Sequence, residues 1–163
     1  MEFLDLCLSI LEETLLMQDV APLHIQEAEE LVSIADACLG GLSGRSALLI
    51  GPEEQRQPYR YLLQRAAMKQ IYQEDTPRHA SATIPYVQLL ISIPPPSLPV
   101  PVITAATIAQ GCIGRRTPLL IFDLSQAEPS VEELAGLLPA VCLYTPEDLH
   151  YIFAKFRPGL CPL

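Results

Sequence analysis

Gly44-Arg45-Ser46-Ala47-Leu48-Leu49-Ile50-Gly51 decides the reading of this chain. The run from Ser46 to Ile50 is apolar and bounded by glycines, the mark of a strand buried on both faces of a parallel sheet. A glycine closing such a strand opens the turn in which many α/β sheets hold a phosphate. The residues that follow must then be small, so that backbone N–H groups at a helix N-terminus can approach the anion. Here the chain continues Pro52-Glu53-Glu54-Gln55-Arg56-Gln57-Pro58. That turn offers side-chain bulk and two carboxylates. Set against a diphosphate, Glu53 and Glu54 would cost roughly several kcal/mol at intermediate dielectric, offset in part by Arg56. Compensation of a helix dipole is the simpler use for the two acids.

Toward the N-terminus the pattern is helical. Residues 2–18 place Phe3, Cys7, Ile10, Leu11, Thr14 and Leu15 on one stripe, and residues 23–39 do the same with Ile25, Ala28, Leu31, Val32, Ala35 and Cys38 or Leu39. Gly40-Gly41 ends the second helix. Toward the C-terminus, a helix is expected over 58–67 with Pro58 in its first turn, then a weak strand at 69–73. Residues 74–85 are polar and irregular, with room for one short helical turn. A strong strand spans 86–93. The proline run from Pro94 to Pro101 excludes both helix and sheet interior and reads as a stiff loop. Thr104 caps a short helix at 105–110, and Leu119–Leu124 is the clearest buried strand. Ser130-Val131-Glu132-Glu133 reads as a capping box opening a helix to about 138. A last strand covers 140–144. Thr145-Pro146-Glu147-Asp148 starts a closing helix to 156, with threonine as cap and acids in the first turn.

Strands alternating with short helices predict an α/β fold: an open parallel sheet of about five strands with helices on both faces, preceded by an N-terminal helical segment. The expected division is a helical segment 1–40, the α/β domain 41–156 and a loose tail 157–163. With 163 residues the chain is long enough for a proper core. Half of it is hydrophobic and the formal charge is −9, without a basic run. Nucleic acid and anionic membrane are therefore not expected as partners. The start of the chain lacks the basic region of a signal peptide, and no stretch approaches roughly 18 uninterrupted apolar residues. The five cysteines, at 7, 38, 112, 142 and 161, form no C-x-x-C pair, which suits free thiols in a cytoplasmic protein.

From about Ala28 to Ile152 the chain resembles the NADPH-binding, Rossmann-like domain of glutamyl-tRNA reductase. The likeness is carried by the helix 23–39 leading through Gly41-Leu42-Ser43-Gly44-Arg45 into the strand 46–50, and by Leu90-Ile91-Ser92-Ile93 followed by Pro101-Val102-Ile103-Thr104. Its most specific stretch is Pro118-Leu119-Leu120-Ile121-Phe122-Asp123-Leu124, then Pro129-Ser130-Val131, then Leu143-Tyr144-Thr145-Pro146-Glu147-Asp148-Leu149. The resemblance implies the fold, a dinucleotide edge formed by Gly51, Glu74, Thr76 and Ile93, and a link to tetrapyrrole synthesis. The departures are as specific. The family's glycine fingerprint would place glycines where Glu53 and Arg56 stand. Glu74-Asp75-Thr76 occupies the place of the basic group that receives the 2′-phosphate of NADPH, and acids there suit an unphosphorylated ribose better. The family's catalytic-cysteine domain has no counterpart in this sequence, and Cys7 is not in its motif.

No catalytic residue is therefore assigned. Asp123, at the carboxyl end of its strand, is the best single candidate for a ligand-binding carboxylate. His24, His79 and His150 lack metal-ligand spacing, so no metal is expected. Ser43 precedes its strand and is a turn residue rather than a nucleophile. The wide apolar faces of helices 2–18 and 23–39 point to self-association or docking to a protein partner. The expected function is that of a non-catalytic, reductase-derived pseudoenzyme, accessory or regulatory in tetrapyrrole (heme) biosynthesis and without a cofactor. The alternative is an NAD(P)-binding oxidoreductase or dinucleotide sensor whose catalytic groups come from another chain. A binder of a small metabolite or tetrapyrrole is the weaker alternative.

Overall fold

The computed structural model describes residues 22–95, 102–126 and 128–156. The helix read at 2–18, most of the proline run and the tail lie outside the described residues. Five strands form one sheet: β1 (Ser46–Ile50), β2 (Gln70–Glu74), β3 (Leu89–Ser92), β4 (Leu119–Asp123) and β5 (Val141–Tyr144). Their order is β2-β1-β3-β4-β5 and every pair is parallel. This is the Rossmann-like architecture expected from the sequence.

Side chains alternate between the two faces of the sheet and build two cores. On one face Ala47, Leu49, Leu89, Ile91, Leu120 and Phe122 meet α1 (Pro22–Leu39), α2 (Glu53–Arg65) and α5 (Pro146–Phe156). On the other, Leu48, Ile50, Leu90, Leu119 and Ile121 are covered by thinner material: α3 (Ala80–Thr83), α4 (Ala105–Gly111) and a 3-10 turn at Glu133–Leu137. Complete burial of β1, β3 and β4 explains their unbroken apolar sequences. The α1 stripe of Ala28, Leu31, Ala35 and Leu39, expected to serve as an interface, is buried against the sheet of its own chain. Arg45 closes that helix by donating from Nη2 to Leu39 O at 2.6 Å and from Nε to Gly41 O at 2.8 Å.

Four expectations need correction. The helix after β1 begins at Glu53 instead of Pro58, which lies inside it and buried. Glu53 and Glu54 compensate the dipole of the true first turn, and Pro58 forfeits one internal bond in return for packing. Residues 77–86 hold three consecutive short turns, Pro77–His79, Ala80–Thr83 and Ile84–Tyr86, where one was expected. The strand expected at 86–93 is confined to Leu89–Ser92. Lastly, Ser130 caps no helix. Its hydroxyl donates to Asp123, Val131 bridges to Ile103, and the α-helix expected there is the 3-10 turn at Glu133–Leu137. A side chain already committed elsewhere cannot satisfy the N–H groups of a helix start.

Candidate functional site: the carboxyl edge of the sheet

The chain leaves β1 for β2 on one side and resumes at β3 on the other. The carboxyl ends of β1 and β3 therefore flank the topological switch point, where ligands of open α/β sheets bind. The structure brings Gly51, Glu74 and Ile93 together there. Gly51 N donates to Glu74 O at 2.9 Å, and Ile93 N donates to Ile50 O at 2.7 Å. Gly51 has φ +148°, and a Cβ added to it would lie 2.1 Å from Ile93 O. The glycine is thus required by the approach of the chain's own backbone. Thr76 stands apart, exposed and extended before the turn at Pro77–His79, and makes no capping bond with its side chain.

Beyond Gly51 the helix starts at once. Pro52 has no N–H, and its carbonyl accepts from Gln55 N and Arg56 N, both at 3.1 Å. Glu53 and Glu54 carry the amides that lack an intrahelical acceptor, and both side chains are exposed in the first turn. In the phosphate-binding form of this turn, a third glycine lets the helix pack closely on the strand. Arg56 occupies that position. It is 8% exposed, and its Nη2 lies 3.1 Å from Asp75 Oδ1 just past β2. Arg56 Nε and Glu74 Oε2 are both buried without a hydrogen-bond partner. A dinucleotide would lay its diphosphate across this first turn and its adenosine ribose at the end of β2. These residues do not match that group: two exposed carboxylates stand at the helix start where the diphosphate would lie, Arg56 replaces the third glycine, and its pair with Asp75 lies at the end of β2.

The second cluster lies one strand along. Asp123 is 1% exposed and ends β4. Its Oδ1 accepts from Ser125 N at 3.1 Å and from the Ser130 hydroxyl at 2.6 Å. Its Oδ2 accepts from Ser130 N at 2.8 Å and Val131 N at 2.9 Å. Ser92, the register partner of Asp123 on β3, completes the chain through Ser92 Oγ to Ser130 Oγ at 2.7 Å. The carboxylate thereby folds the β4 loop back over the sheet edge. The sequence points to Asp123 by its place at a strand end; it offers Ser130 as a helix cap and hides its pairing with Ser92 and Asp123, because polar pairs distant in sequence have no period.

Outside the switch point, an open groove of about 490 Å³ lies along β5 and α5, lined by Leu143, Tyr144, Glu147, Asp148, Tyr151 and Ile152. Among the described residues no group of three or more His, Cys, Asp or Glu is placed to hold a metal ion. No described helix is long and apolar enough to cross a membrane.

No protein-family model and no curated protein sequence matches this chain. Solved structures do. Glutamyl-tRNA reductase from Methanopyrus kandleri superposes with a TM-score of 0.65 at 19% identity, over 81% of this chain and 37% of the reductase. A dipicolinate synthase component from Bacillus halodurans gives 0.60 at 13% identity, over 84% and 53%. Methylenetetrahydrofolate dehydrogenase–cyclohydrolase from Trypanosoma brucei, solved with NADP and an inhibitor, gives 0.52 at 13% identity, over 83% and 51%. This chain spans only about a third to a half of these proteins, and at such identities the likeness shows the Rossmann-type fold alone.

Proposed function

We propose that this chain is a Rossmann-type domain that no longer binds a dinucleotide and works through protein contacts. Arg56 carries the reading: it fills the position of the third glycine, is buried there, and is paired with Asp75 across the ribose end of the site. The residues on either side agree with it. Gly51 is held against Ile93, and Glu53 and Glu54 put negative charge where a diphosphate would bring more. The resemblance to glutamyl-tRNA reductase, whose structure is among those this chain superposes on, gives the proposed setting: an accessory or regulatory protein of tetrapyrrole synthesis. The helices expected at 2–18 and 23–39 are the proposed contact surface. For the second of them this means the side turned away from the sheet, where Gln26, Glu29, Ser33 and Ala37 are exposed.

The test is a calorimetric and fluorescence titration with NADPH and NADH. Silence up to the millimolar range is the expected result; submillimolar binding of either nucleotide overturns the reading. In that event the second reading takes its place: a dinucleotide-binding oxidoreductase or sensor with catalytic groups supplied by another chain. Its support is a fold shared with a dehydrogenase solved with NADP. Gly51, Glu74, Thr76 and Ile93 would then form the binding edge.

A further inference from the structure

At the β5 edge of the sheet a thiol meets a phenol, and a second thiol stands on the same face of the strand. Tyr144 ends β5, an edge strand paired only to β4 among the described residues. Its ring stacks at 40° on Phe122, 5.3 Å between centroids, so it faces α1 and α5. Cys142 stands two residues earlier and therefore projects from the same face, about 7 Å along the strand. Cys38, in the last turn of α1, meets the phenol: its Sγ lies 3.5 Å from the Tyr144 hydroxyl. Both thiols are exposed.

We propose that Cys38 and Cys142 form a reversible intramolecular disulfide by exchange with a small-molecule disulfide such as oxidised glutathione. The Cys38 thiolate attacks one sulfur of the small disulfide, whose S–S bond breaks and releases the first thiol. Cys142 then loses its proton and attacks Cys38 Sγ, expelling the second. The two protein thiols are oxidised by two electrons, and the small disulfide is reduced to two thiols that carry away the two protons.

The order follows from the surroundings. The Cys142 thiol is pushed up by burial first and by the neighbouring Cys38 second. The Tyr144 phenol is pushed up to about 12, mainly by its hydrogen bond with Cys38, then by burial and by the charges of Cys38, Cys142 and Asp148. It therefore stays protonated and can donate to a thiolate on Cys38. A disulfide requires Cα atoms within roughly 7 Å. An edge strand with a neighbour on one side only can shift to meet that demand more easily than a central one. The bond would tie the end of α1 to the free edge of the sheet.

The test uses the full chain, reduced and then equilibrated in glutathione buffers of increasing oxidation, alkylated, digested without reduction and mapped by mass spectrometry. The expected product is the Cys38 peptide joined to the Cys142 peptide, in protein that runs as one chain on denaturing gels. Its formation should raise the Tm by several degrees, and dithiothreitol should reverse it. Cys142→Ser should trap one glutathione on Cys38. Recovery of Cys38 and Cys142 free, as separate glutathione adducts, or joined to other cysteines or other chains would overturn the proposal.

Discussion

Arg56 Nη2 stands 3.1 Å from Asp75 Oδ1, joining the first turns of α2 to the residue just past β2. The pair is lopsided: the Arg56 side chain is 9% exposed and that of Asp75 79%. Water therefore solvates the carboxylate with or without its partner, while the guanidinium is largely removed from water and leaves Nε unsatisfied. Asp75→Ala strands the buried guanidinium and should cost about 3 kcal/mol, more than loss of an exposed ion pair would. Arg56→Ala should cost about 2 kcal/mol through lost packing of its methylenes. Arg56→Met, which keeps the packing and removes the unsatisfied donor, should be at least as stable as the parent. Urea unfolding of the three variants checks the order, and a Met variant weaker than the Ala variant would refute this account.

Asp123 makes a sharper prediction, because every group facing its carboxylate is a donor. Asparagine can accept on one side only. With its NH2 in place of Oδ2 it leaves the Ser130 and Val131 N–H groups unpaired; in place of Oδ1 it leaves only the Ser125 N–H unpaired, because the Ser130 hydroxyl can accept from the NH2 and donate to Ser92 Oγ. Asp123→Asn should therefore destabilise by about 1–2 kcal/mol, less than Asp123→Ala, which removes all four acceptor contacts. Chemical denaturation measures both. A tolerated asparagine would mean that the carboxylate is kept for something other than this loop.

Gly51→Ala meets two obstacles at once. The backbone there has φ +148°, and the new methyl carbon would sit 2.1 Å from Ile93 O and 3.0 Å from Ile93 C. Neither contact is a flexible side-chain end, so the ends of β1 and β3 must part. A loss of about 3 kcal/mol or more is expected, with a Tm lower by roughly 10 °C or outright insolubility. A variant melting within a few degrees of the parent would show that the turn has slack.

Much of this was legible in the sequence for one reason: β1, β3 and β4 are buried on both faces and so read as unbroken apolar runs. The edge strand β2, with Gln70 and Gln73 exposed, carries little such signal and reads weakly. Helix starts were harder. Pro58 suggests a start because its ring tolerates one, yet the helix begins where two acids stand, and the proline rides inside. Ser130 shows the deeper limit. A local motif names a donor and its nearest acceptor, but Asp123, seven residues back at the end of β4, accepts the Ser130 hydroxyl at 2.6 Å. The same holds for the site: Gly51 and Glu53 are readable as a departure from a glycine fingerprint, whereas the pairing of Arg56 with Asp75 exists only once β2 is laid beside β1.

The phenol of Tyr59 adds a pH dependence whose sign is fixed. Burial first, and the nearby Glu27 second, push it above its ordinary value of 10.0, so the folded chain holds a proton that the unfolded chain releases. Its contribution is complete below pH 10 and is lost as pH rises past that value. Burial also pushes up the thiols of Cys112 and Cys142, and they act with the same sign from about pH 9. Tm measured from pH 8 to 11 should fall, and Tyr59→Phe should flatten the upper part of the decline. An unchanged slope in the Phe variant would remove Tyr59 as its source.

The proposed block at the turn after β1 can be tested by restoring what that turn lacks. Glu53→Gly together with Arg56→Gly recreates the spacing of small residues after Gly51, removes one carboxylate from the helix start and empties the space that the guanidinium fills. Two glycines inside a helix cost about 1 kcal/mol each, and loss of the Arg56 packing adds to that, so the variant must be shown folded by its melting transition first. If steric and charge exclusion is what silences the site, calorimetry should find NADH binding at least tenfold tighter in the double variant than in the parent. NADH should also bind better than NADPH, because Glu74 and Asp75 remain at the ribose end. Folded protein that shows no gain would place the cause elsewhere in the crevice and would weaken the role given to Arg56.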